Sequence, residues 1–295
     1  FVIYERAGDV GGVWRDNTYP GAACDVPSHL YSFSFEPKPD WGRTFGPQQE
    51  IYSYLRHCAD KYQLREKIKF NTSLSDMTFC EASGTWKLTF ADGSKRRARS
   101  VVMAIGALNV PQYPEIEGVD SFGGKVMHTA EWDQEYSLDG KRVAVIGTGA
   151  SAIQVIPSIQ SVVSDLHVFQ RTPPWVMPKS DKPVTPARQR LYRRWPIVQR
   201  TVRNLQYLFM ESLVPAFMWD SFLTRFGEAM GRRYLGKVIR DPVLRKKLSP
   251  NYAMGCKRVL LSDDYYPALA KRNVNVCVEG IDKIDETAIC TSDGK

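Results

Sequence analysis

The stretch VAVIGTGASA, residues 143–152, constrains the fold of this chain more than any other part of the sequence. Its apolar beginning predicts a buried strand, and the apolar positions of 151–159 predict a helix directly after it. Gly147 allows a tight turn, Gly149 lets the backbone approach a pyrophosphate, and Ala152 is small enough for the helix to pack closely. Because a helix N-terminus attracts negative charge, this segment predicts a dinucleotide-binding βαβ unit. The candidate binding residues are Gly147, Thr148, Gly149, Ala150 and Ser151.

The strand predicted next, Asp165–Phe169, indicates which dinucleotide is bound. An NAD site usually has an acidic residue near the end of that strand, where it accepts hydrogen bonds from the ribose hydroxyls. This chain has Arg171 there, about 20 residues after the turn, followed by Thr172. A guanidinium suits the 2′-phosphate of NADP, so the sequence predicts an NADP site.

The first residues predict part of a second cofactor site. Phe1–Tyr4 is typical of a short buried parallel strand, and Glu5 follows it in the position of a carboxylate that binds an adenosine ribose. Such an acid normally comes about 20 residues after a glycine-rich turn. The sequence given starts at Phe1, so either the pattern is a coincidence or a first cofactor loop is missing.

Other segments complete an α/β pattern with a helical insertion. Periodicity predicts a helix over Gln48–Lys61, and the apolar run Ser100–Ile105 predicts a further buried parallel strand. From Thr185 to Leu248 the pattern changes to long basic, aromatic-rich helices with breaks at Pro196, Pro215 and Pro242. Further strands are predicted at Ser75–Phe79, Thr85–Phe90, Arg142–Ile146, Val259–Leu261 and Val274–Val278.

The charge of the chain is unevenly distributed. The 295 residues have a net charge of +8, and residues 179–247 contain sixteen Lys and Arg against five Asp and Glu. Such a segment can bind nucleic acid, an anionic membrane or a phosphorylated cofactor, but a solvated helical face is commoner. No interleaved aromatic motif indicates nucleic-acid binding, so we expect no such partner and keep peripheral membrane contact as a lesser alternative.

Neither membrane insertion nor secretion is predicted. The most apolar segment, Leu205–Phe222, contains Glu211, Pro215 and Asp220, which favours a buried or interfacial helix. No basic stretch followed by an apolar one marks a secretion signal, so the default location is cytoplasmic. The six cysteines include no CxxC pair, which argues against a zinc site, and we predict no metal.

The segment FGGKVMHTAEWD, residues 122–133, carries a clear family resemblance. It fits the pattern F-x-G-x-x-x-H-x-x-x-W-[PD] through Phe122, Gly124, His128, Trp132 and Asp133. This pattern resembles the fingerprint of the Baeyer–Villiger monooxygenases, flavoenzymes that insert oxygen next to a carbonyl. The Trp-Asp end favours this family over the N-hydroxylating and the flavin-containing monooxygenases. The resemblance implies that His128 assists domain movement more than bond breaking.

Two further segments resemble the same family and imply site residues. Residues 5–35 are similar to its flavin-binding segment. By that likeness Glu5 holds the adenosine ribose of FAD, Gly12 and Trp14 lie along the flavin, and Asp25 and Tyr31 lie near the isoalloxazine ring. Residues 254–269 contain the family's Lys-Arg pair. They imply that Lys257 contacts the 2′-phosphate together with Arg171, and that Arg258 is the active-site arginine.

The resemblance also implies the domain organisation. It implies two dinucleotide-binding, Rossmann-like domains, one for FAD and one for NADP, with a helical insertion in the NADP domain. We expect a partial FAD domain over 1–110, a linker over 111–140, an NADP domain over 141–178 and 254–295, and the insertion over 179–253. The chain is then expected to be a fragment truncated at both ends, without the first glycine loop for FAD.

The implied activity is the oxidation of a ketone to an ester or lactone. NADPH would reduce FAD, O2 would form a C4a-peroxide on the flavin, and this peroxide would attack the ketone. Arg258, oriented by Asp25, would supply a fixed positive charge that never deprotonates. The alternatives are an N- or S-oxidising relative and a module that binds NADPH without catalysis.

Overall fold

The computed structural model describes residues 1–218 and 222–294 of a mixed α/β chain. The chain divides into two compact units, of which the first consists of Phe1–Asn17 and Gln48–Pro111 and the second of Thr18–Pro47 and Gln112–Lys295. The units therefore assign residues 18–47 differently from the predicted cofactor domains, whose boundaries stay a prediction. Residues 219–221 of the predicted insertion and Lys295 lie outside the described residues.

The first unit contains two small sheets and one long helix. Its elements are β1 (Ile3–Tyr4), α1 (Val13–Asp16), α2 (Gln48–Lys61), β2 (Ile68–Lys69), β3 (Leu74–Cys80), β4 (Thr85–Phe90) and β5 (Lys95–Ala98). β1 pairs with β2 in parallel, and β3, β4 and β5 form an antiparallel meander. The predicted helix is confirmed as α2, whose spacing buries Ile51, Tyr54 and Cys58 on one side.

Two apolar runs of the first unit are not the buried strands that the sequence predicts. In the N-terminal run only Ile3 and Tyr4 pair, and Phe1 is 83% exposed. The segment Ser100–Ile105 forms no strand, and Val102 is 88% exposed. An apolar run becomes a buried strand only where neighbouring strands accept its ladder hydrogen bonds and a second layer covers it. Among the described residues, no strand pairs with 100–105.

The second unit is built around a three-stranded parallel sheet. Its elements are β6 (Arg142–Ile146), α3 (Ala152–Ile159), β7 (Asp165–Phe169), β8 (Val176–Met177), α4 (Pro186–Arg194), α5 (Pro196–Met218), α6 (Phe222–Val238), α7 (Pro242–Lys247), β9 (Leu260–Leu261), α8 (Tyr265–Leu269), β10 (Val274–Cys277), β11 (Ile281–Ile284) and β12 (Ile289–Thr291). The strand order is β10-β7-β6, and α3 connects β6 to β7, so the predicted βαβ unit is confirmed.

The core of the second unit lies where α3 and α8 pack with this sheet. Ile153 and Ile156 of α3 are fully buried against Leu166 and Val168 of β7 and Tyr265 of α8. Burying an aliphatic side chain of this size contributes about 1.5–3 kcal/mol, so α3 is held firmly along its apolar face. Its N-terminal turn is therefore fixed relative to the sheet.

The helical insertion follows its proline pattern at two of three positions. Pro196 begins α5 and Pro242 begins α7, where Asp241 caps the helix by accepting from the N–H groups of Val243 and Leu244. The predicted break at Pro215 is wrong, because α5 continues to Met218. A proline removes one hydrogen bond of the helical ladder, and near the end of a long helix that loss need not interrupt it. No helix within residues 1–218 and 222–294 is long and apolar enough to cross a membrane.

Three tyrosines, Tyr234 of α6 and Tyr265 and Tyr266 of α8, predict a loss of stability in alkali. Burial raises the pKa of Tyr234 to about 12, and burial also raises the pKa of Tyr265 and Tyr266 above the ordinary value of 10. The unfolded chain would lose these protons near pH 10 while the folded chain retains them. The free energy of unfolding therefore falls as pH rises from 10 towards 12.

We expect Tyr265→Phe to reduce this alkaline loss. Among the described residues, the buried Tyr265 hydroxyl has no hydrogen-bond partner, so its removal should not lower stability at pH 8. Urea denaturation at pH 8 and pH 11 measures the difference, with the exposed Tyr31→Phe as a matched control. An equal loss in wild type and Tyr265→Phe would contradict the prediction.

Candidate active site

The glycine turn between β6 and α3 presents bare backbone. Gly147 has φ +109°, a conformation that other residues rarely adopt, and its N–H donates to the Phe169 carbonyl at 2.9 Å. A Cβ added at Gly147 or Gly149 would meet no atom within 4 Å, so the space before the turn is open. In the described part of the chain, the N–H groups of 148–151 donate to no protein acceptor. The turn therefore offers open space, free N–H donors and the N-terminus of α3, and these features together suit a pyrophosphate.

Arg171 lies at the same edge of the sheet as this turn. Ile146 and Phe169 are opposite each other in the parallel pair of β6 and β7, so the residues after both strands meet at one edge. The Thr148 hydroxyl donates to the Thr172 carbonyl at 3.3 Å and ties the two segments together. Arg171 is exposed and makes no ion pair among the described residues, so its guanidinium is available for a phosphate.

Lys257 is connected to the residues after Arg171 through one tyrosine. The Tyr252 hydroxyl donates to the Pro173 carbonyl at 3.1 Å, and the Lys257 Nζ lies 5.2 Å from the centroid of the Tyr252 ring. Lys257 itself is exposed. The structure thus places both predicted phosphate-binding cations around the chain segment 171–173.

Asp25 forms ion pairs with two cations. Its Oδ2 accepts from Arg258 Nη2 at 3.2 Å, and its Oδ1 lies 3.6 Å from Lys179 Nζ. The side chains of Asp25 and Lys179 are 12% and 11% exposed, whereas that of Arg258 is 63% exposed. The predicted pairing of Asp25 with Arg258 is therefore present in the structure, with a second, more buried cation on the same carboxylate.

A polar network joins this carboxylate to the glycine turn. Gln154, in the first turn of α3, approaches Asp25 Oδ1 with its Nε2 at 3.5 Å and accepts from the Tyr19 hydroxyl at 2.9 Å. The Gln154 backbone N–H in turn donates to the Ser151 carbonyl at 3.1 Å. Burial and the Asp25 charge raise the pKa of Tyr19, so its hydroxyl stays a donor at neutral pH.

The segment that carries Asp25 packs directly on α3. A Cβ added at Gly21 would lie 2.6 Å from the Gln154 carbonyl oxygen and would also collide with Ser158 Oγ. Only glycine permits this approach, and φ at Gly21 is +81°. This close contact at Gly21 fixes the distance between α3 and the backbone segment that carries Asp25.

His128 has a local structural role in the linker. Its Nδ1 accepts from the Ala130 N–H at 3.1 Å, so it caps the 3₁₀ turn Thr129–Glu131. Its backbone N–H donates to the Tyr113 hydroxyl at 3.1 Å, and the two rings lie 5.6 Å apart. In the described residues its polar contacts are confined to the linker, so the structure does not bring it together with Asp25 and Arg258.

The predicted FAD residues of the first unit occupy local turns. Glu5 Oε1 accepts from the Ala7 N–H at 2.9 Å and lies 3.6 Å from Arg15 Nη1. Within residues 1–218 and 222–294, its Oε2 makes no such contact and can accept from a ribose hydroxyl. Gly12 has φ +51° and open space around a built Cβ, and the half-buried Trp14 accepts from Gln48 through its carbonyl.

Tyr31 belongs to the second unit and is 39% exposed. The loop around it is held by Arg203 of α5, whose Nη1 donates to the Leu30 and Ser32 carbonyls at 3.0 Å each. The ring is therefore carried on a fixed loop.

Sequence reasoning missed Lys179, Gln154 and Tyr19. Gln154 is a single amide in the otherwise apolar first turns of α3, and this contrast was the one available signal. Lys179 is one of sixteen basic residues in its segment, and nothing in the sequence separates it from the others. In the described part of the chain, no group of three or more His, Cys, Asp or Glu residues could hold a metal ion.

Comparison with known proteins identifies the family. The flavin-binding monooxygenase-like family matches residues 1–250, and the chain belongs to that family. It is 45% identical over 295 residues to a Baeyer–Villiger monooxygenase of Pseudomonas aeruginosa and 48% identical over 294 residues to one of Streptomyces coelicolor. Each match covers 100% of this chain and 56% of the relative, so the chain spans about half the length of these curated relatives.

A solved structure extends this likeness. The crystal structure of cyclohexanone monooxygenase from Rhodococcus sp. Phi1 bound to NADP+ matches with a TM-score of 0.86 at 28% identity. The match covers 100% of this chain and 63% of that one. The resemblance inferred from the 122–133 fingerprint is thereby confirmed.

The glycine turn can be tested with a matched pair of variants. Gly147→Ala should lower the urea midpoint because alanine is strained at φ +109°. Gly149→Ala should change the free energy of unfolding by only about 0.5 kcal/mol or less, because its Cβ enters open space. Equal losses of stability in the two variants would contradict this account.

Proposed function

We propose that this chain is part of an NADPH- and FAD-dependent Baeyer–Villiger monooxygenase. The observation that carries the proposal is the Asp25–Arg258 ion pair, joined through Gln154 to Ser151 of the dinucleotide turn. An enzyme that uses NADPH and places a fixed cation beside its reaction centre needs these two features close together. The names of the two bacterial relatives support the same activity.

In this proposal the second unit contains a Rossmann-like NADP site. The N–H groups of 148–151 bind the pyrophosphate, and Thr172 fixes the turn through its carbonyl. Arg171 and Lys257 bind the 2′-phosphate and thereby favour NADP over NAD, which lacks the group that both cations would pair with. The Rhodococcus cyclohexanone monooxygenase, whose crystal structure contains NADP+, supports this choice of cofactor.

We propose a second Rossmann-like site for FAD. Glu5 accepts from the adenosine ribose, Gly12 and Trp14 contact the flavin along its length, and Asp25 and Tyr31 contact it near the isoalloxazine. The flavin-binding family match over residues 1–250 supports this assignment. When bound, FAD supplies the activation of O2 and the oxygen atom is delivered to a ketone, giving an ester or lactone.

The protein's own part in the chemistry is electrostatic. The guanidinium of Arg258 supplies a positive charge that stabilises negative charge developing on oxygen, and Asp25 orients it through the contact at 3.2 Å. His128 keeps the linker turn in place and serves movement of the linker. The domain boundaries given above and the cytoplasmic location belong to this proposal as predictions.

Two alternatives remain to be distinguished from it. An N- or S-oxidising relative would use the same two cofactors on an amine or sulfide, and the Trp132-Asp133 fingerprint favours the ketone. A module that binds NADPH without catalysis would retain the turn but no flavin.

An experiment on the purified chain separates these functions. The chain is mixed with FAD, desalted and given NADPH and 18O2 with a cyclic ketone or a tertiary amine. Retained flavin absorbance with one 18O in an ester supports the proposal, labelled N-oxide supports the relative, and a colourless protein that still binds NADPH supports the binding module.

The NADP selectivity can be tested at Arg171. Hydrogen bonds to charged groups contribute about 1.5–3 kcal/mol, so Arg171→Ala should raise the Kd for NADPH about 10- to 100-fold. The Kd for NADH should change little. Arg142→Ala is the matched control, because this exposed arginine lies at the N-terminal end of β6, and Arg171 lies beyond the C-terminal end of the neighbouring strand. Titration calorimetry of wild type and both variants gives all six dissociation constants, and an equal effect of Arg171→Ala on the Kd for NADH would contradict the assignment.

The role of Arg258 predicts a different phenotype. Arg258→Ala should lower the rate of ester formation by about 100- to 1,000-fold, as does the loss of one oxyanion donor in other enzymes. The Kd for NADPH should stay within about twofold of wild type, because the hydrogen bond and ion pair of Arg258 are made with Asp25 and not with the dinucleotide turn. Product analysis of the FAD-loaded protein measures the first quantity, with the exposed Arg188→Ala as control. Undiminished ester formation would contradict the role.

A further inference from the structure

The carboxylate of Asp25 is shared unequally by its two cations. Lys179 approaches Oδ1 from a site where its side chain is 11% exposed, and Arg258 approaches Oδ2 with a side chain that is 63% exposed. Water screens the attraction between Asp25 and the exposed guanidinium, whereas the buried ammonium is screened much less. The charge of the buried carboxylate is therefore balanced mainly by Lys179.

The backbone holds Lys179 in place independently of Asp25. The N–H groups of Lys179 and Asp181 both donate to the carboxylate of Asp263, at 3.0 and 3.2 Å. Ser180, between them, has φ +53°, a left-handed conformation that costs free energy for a residue other than glycine. The Lys179 Nζ also lies 5.0 Å from the centroid of the Phe45 ring, within the range of a cation–π contact. A turn fixed in this way aims the ammonium at Asp25.

The balance of charge follows from these contacts. Lys179 and Arg258 each carry one positive charge and Asp25 carries one negative charge, so the cluster has an excess positive charge. Because Lys179 is the buried partner, Arg258 can turn away from Asp25 without leaving the carboxylate unpaired in the interior. Without Lys179, the same movement would leave the buried carboxylate of Asp25 without a positive partner. Arg258 would therefore stay bound to Asp25.

We propose that Lys179 is a positioning residue for Arg258. It neutralises Asp25 permanently, and it thereby leaves the guanidinium of Arg258 free to meet a negatively charged oxygen on a ligand. The inference deepens the proposed function and rests on it for the identity of that oxygen. The division of charge among the three side chains can be tested without any cofactor.

The first test is a stability cycle on the cofactor-free chain. Lys179→Met should lower the urea midpoint clearly, Arg258→Met should change it little, and the exposed Lys182→Met is the control. In an Asp25→Asn background the loss caused by Lys179→Met should largely disappear, because no carboxylate remains to be balanced. If Lys179→Met does not fold alone, recovery of folding in the Asp25→Asn/Lys179→Met double variant decides in favour of the proposal. Equal losses at Lys179 and Arg258, or no recovery in the double variant, overturn it.

The second test observes Arg258 itself. The Nε–H of Arg258, assigned by its loss in Arg258→Met, should exchange rapidly with water in wild type. In Lys179→Met this exchange should slow severalfold because the guanidinium is then bound to Asp25, and Lys179→Arg should restore the fast exchange. A purely structural lysine would lower stability without changing this exchange, and that result would overturn the proposal.

The proposed function and the role of Lys179 can be contradicted independently. A chain that passes both tests but binds neither NADPH nor FAD retains the charge arrangement and loses the proposed function. A chain that binds both cofactors but shows unchanged Arg258 exchange in Lys179→Met retains the function and loses the role of Lys179.

Discussion

The buried charge of Asp25 is the constraint on which the candidate active site depends. At 12% exposure the carboxylate cannot rely on water, so the fold has to supply its partners. Those partners come from distant parts of the sequence: Lys179 follows β8, Arg258 precedes β9, and Gln154 lies in α3. Because β8 and β9 pair in parallel, Lys179 and Arg258 lie beyond opposite ends of this small sheet, and each reaches a different oxygen of the Asp25 carboxylate. The geometry of the site therefore depends on the fold that brings these distant segments to Asp25 as well as on the side chains themselves.

Helix α3 connects the two parts of the candidate site in the second unit. Its apolar face is buried in the core, its N-terminal turn presents free N–H groups, and Gln154 on a third side reaches Asp25. The close packing of Gly21 on the same helix leaves Asp25 little freedom to move relative to the turn. The candidate dinucleotide turn and the carboxylate that pairs with Arg258 are thus supported by one rigid element. This shared support keeps the turn and Asp25 in a fixed relation to each other.

The sequence predicted the parts of this arrangement that depend on local pattern. The βαβ unit, α2 and the strands β4, β6 and β7 follow from periodicity and turn residues, and the pairing of Asp25 with Arg258 followed from the family likeness. Local pattern does not report which neighbours a segment finds, so 100–105 was wrongly predicted as a buried strand, and Pro215 was wrongly predicted to end a helix. Lys179 was not predicted as a site residue for the same reason. Its importance comes from the Asp263-bound turn and from its burial beside Asp25, and both are properties of the tertiary structure.

The most direct measurement of the central claim is a titration of the isotope-labelled chain with NADP+, followed by amide NMR signals. The account predicts shifts at 148–151 and at Arg171 and Thr172, with smaller shifts at Tyr19, Gln154 and Asp25 through the network that joins them to Ser151. NAD+ at the same concentration should leave the Arg171 signal in place. Signals of 148–151 and Arg171 that do not respond to NADP+ would contradict the account, because the turn and its guanidinium would then have no dinucleotide to bind.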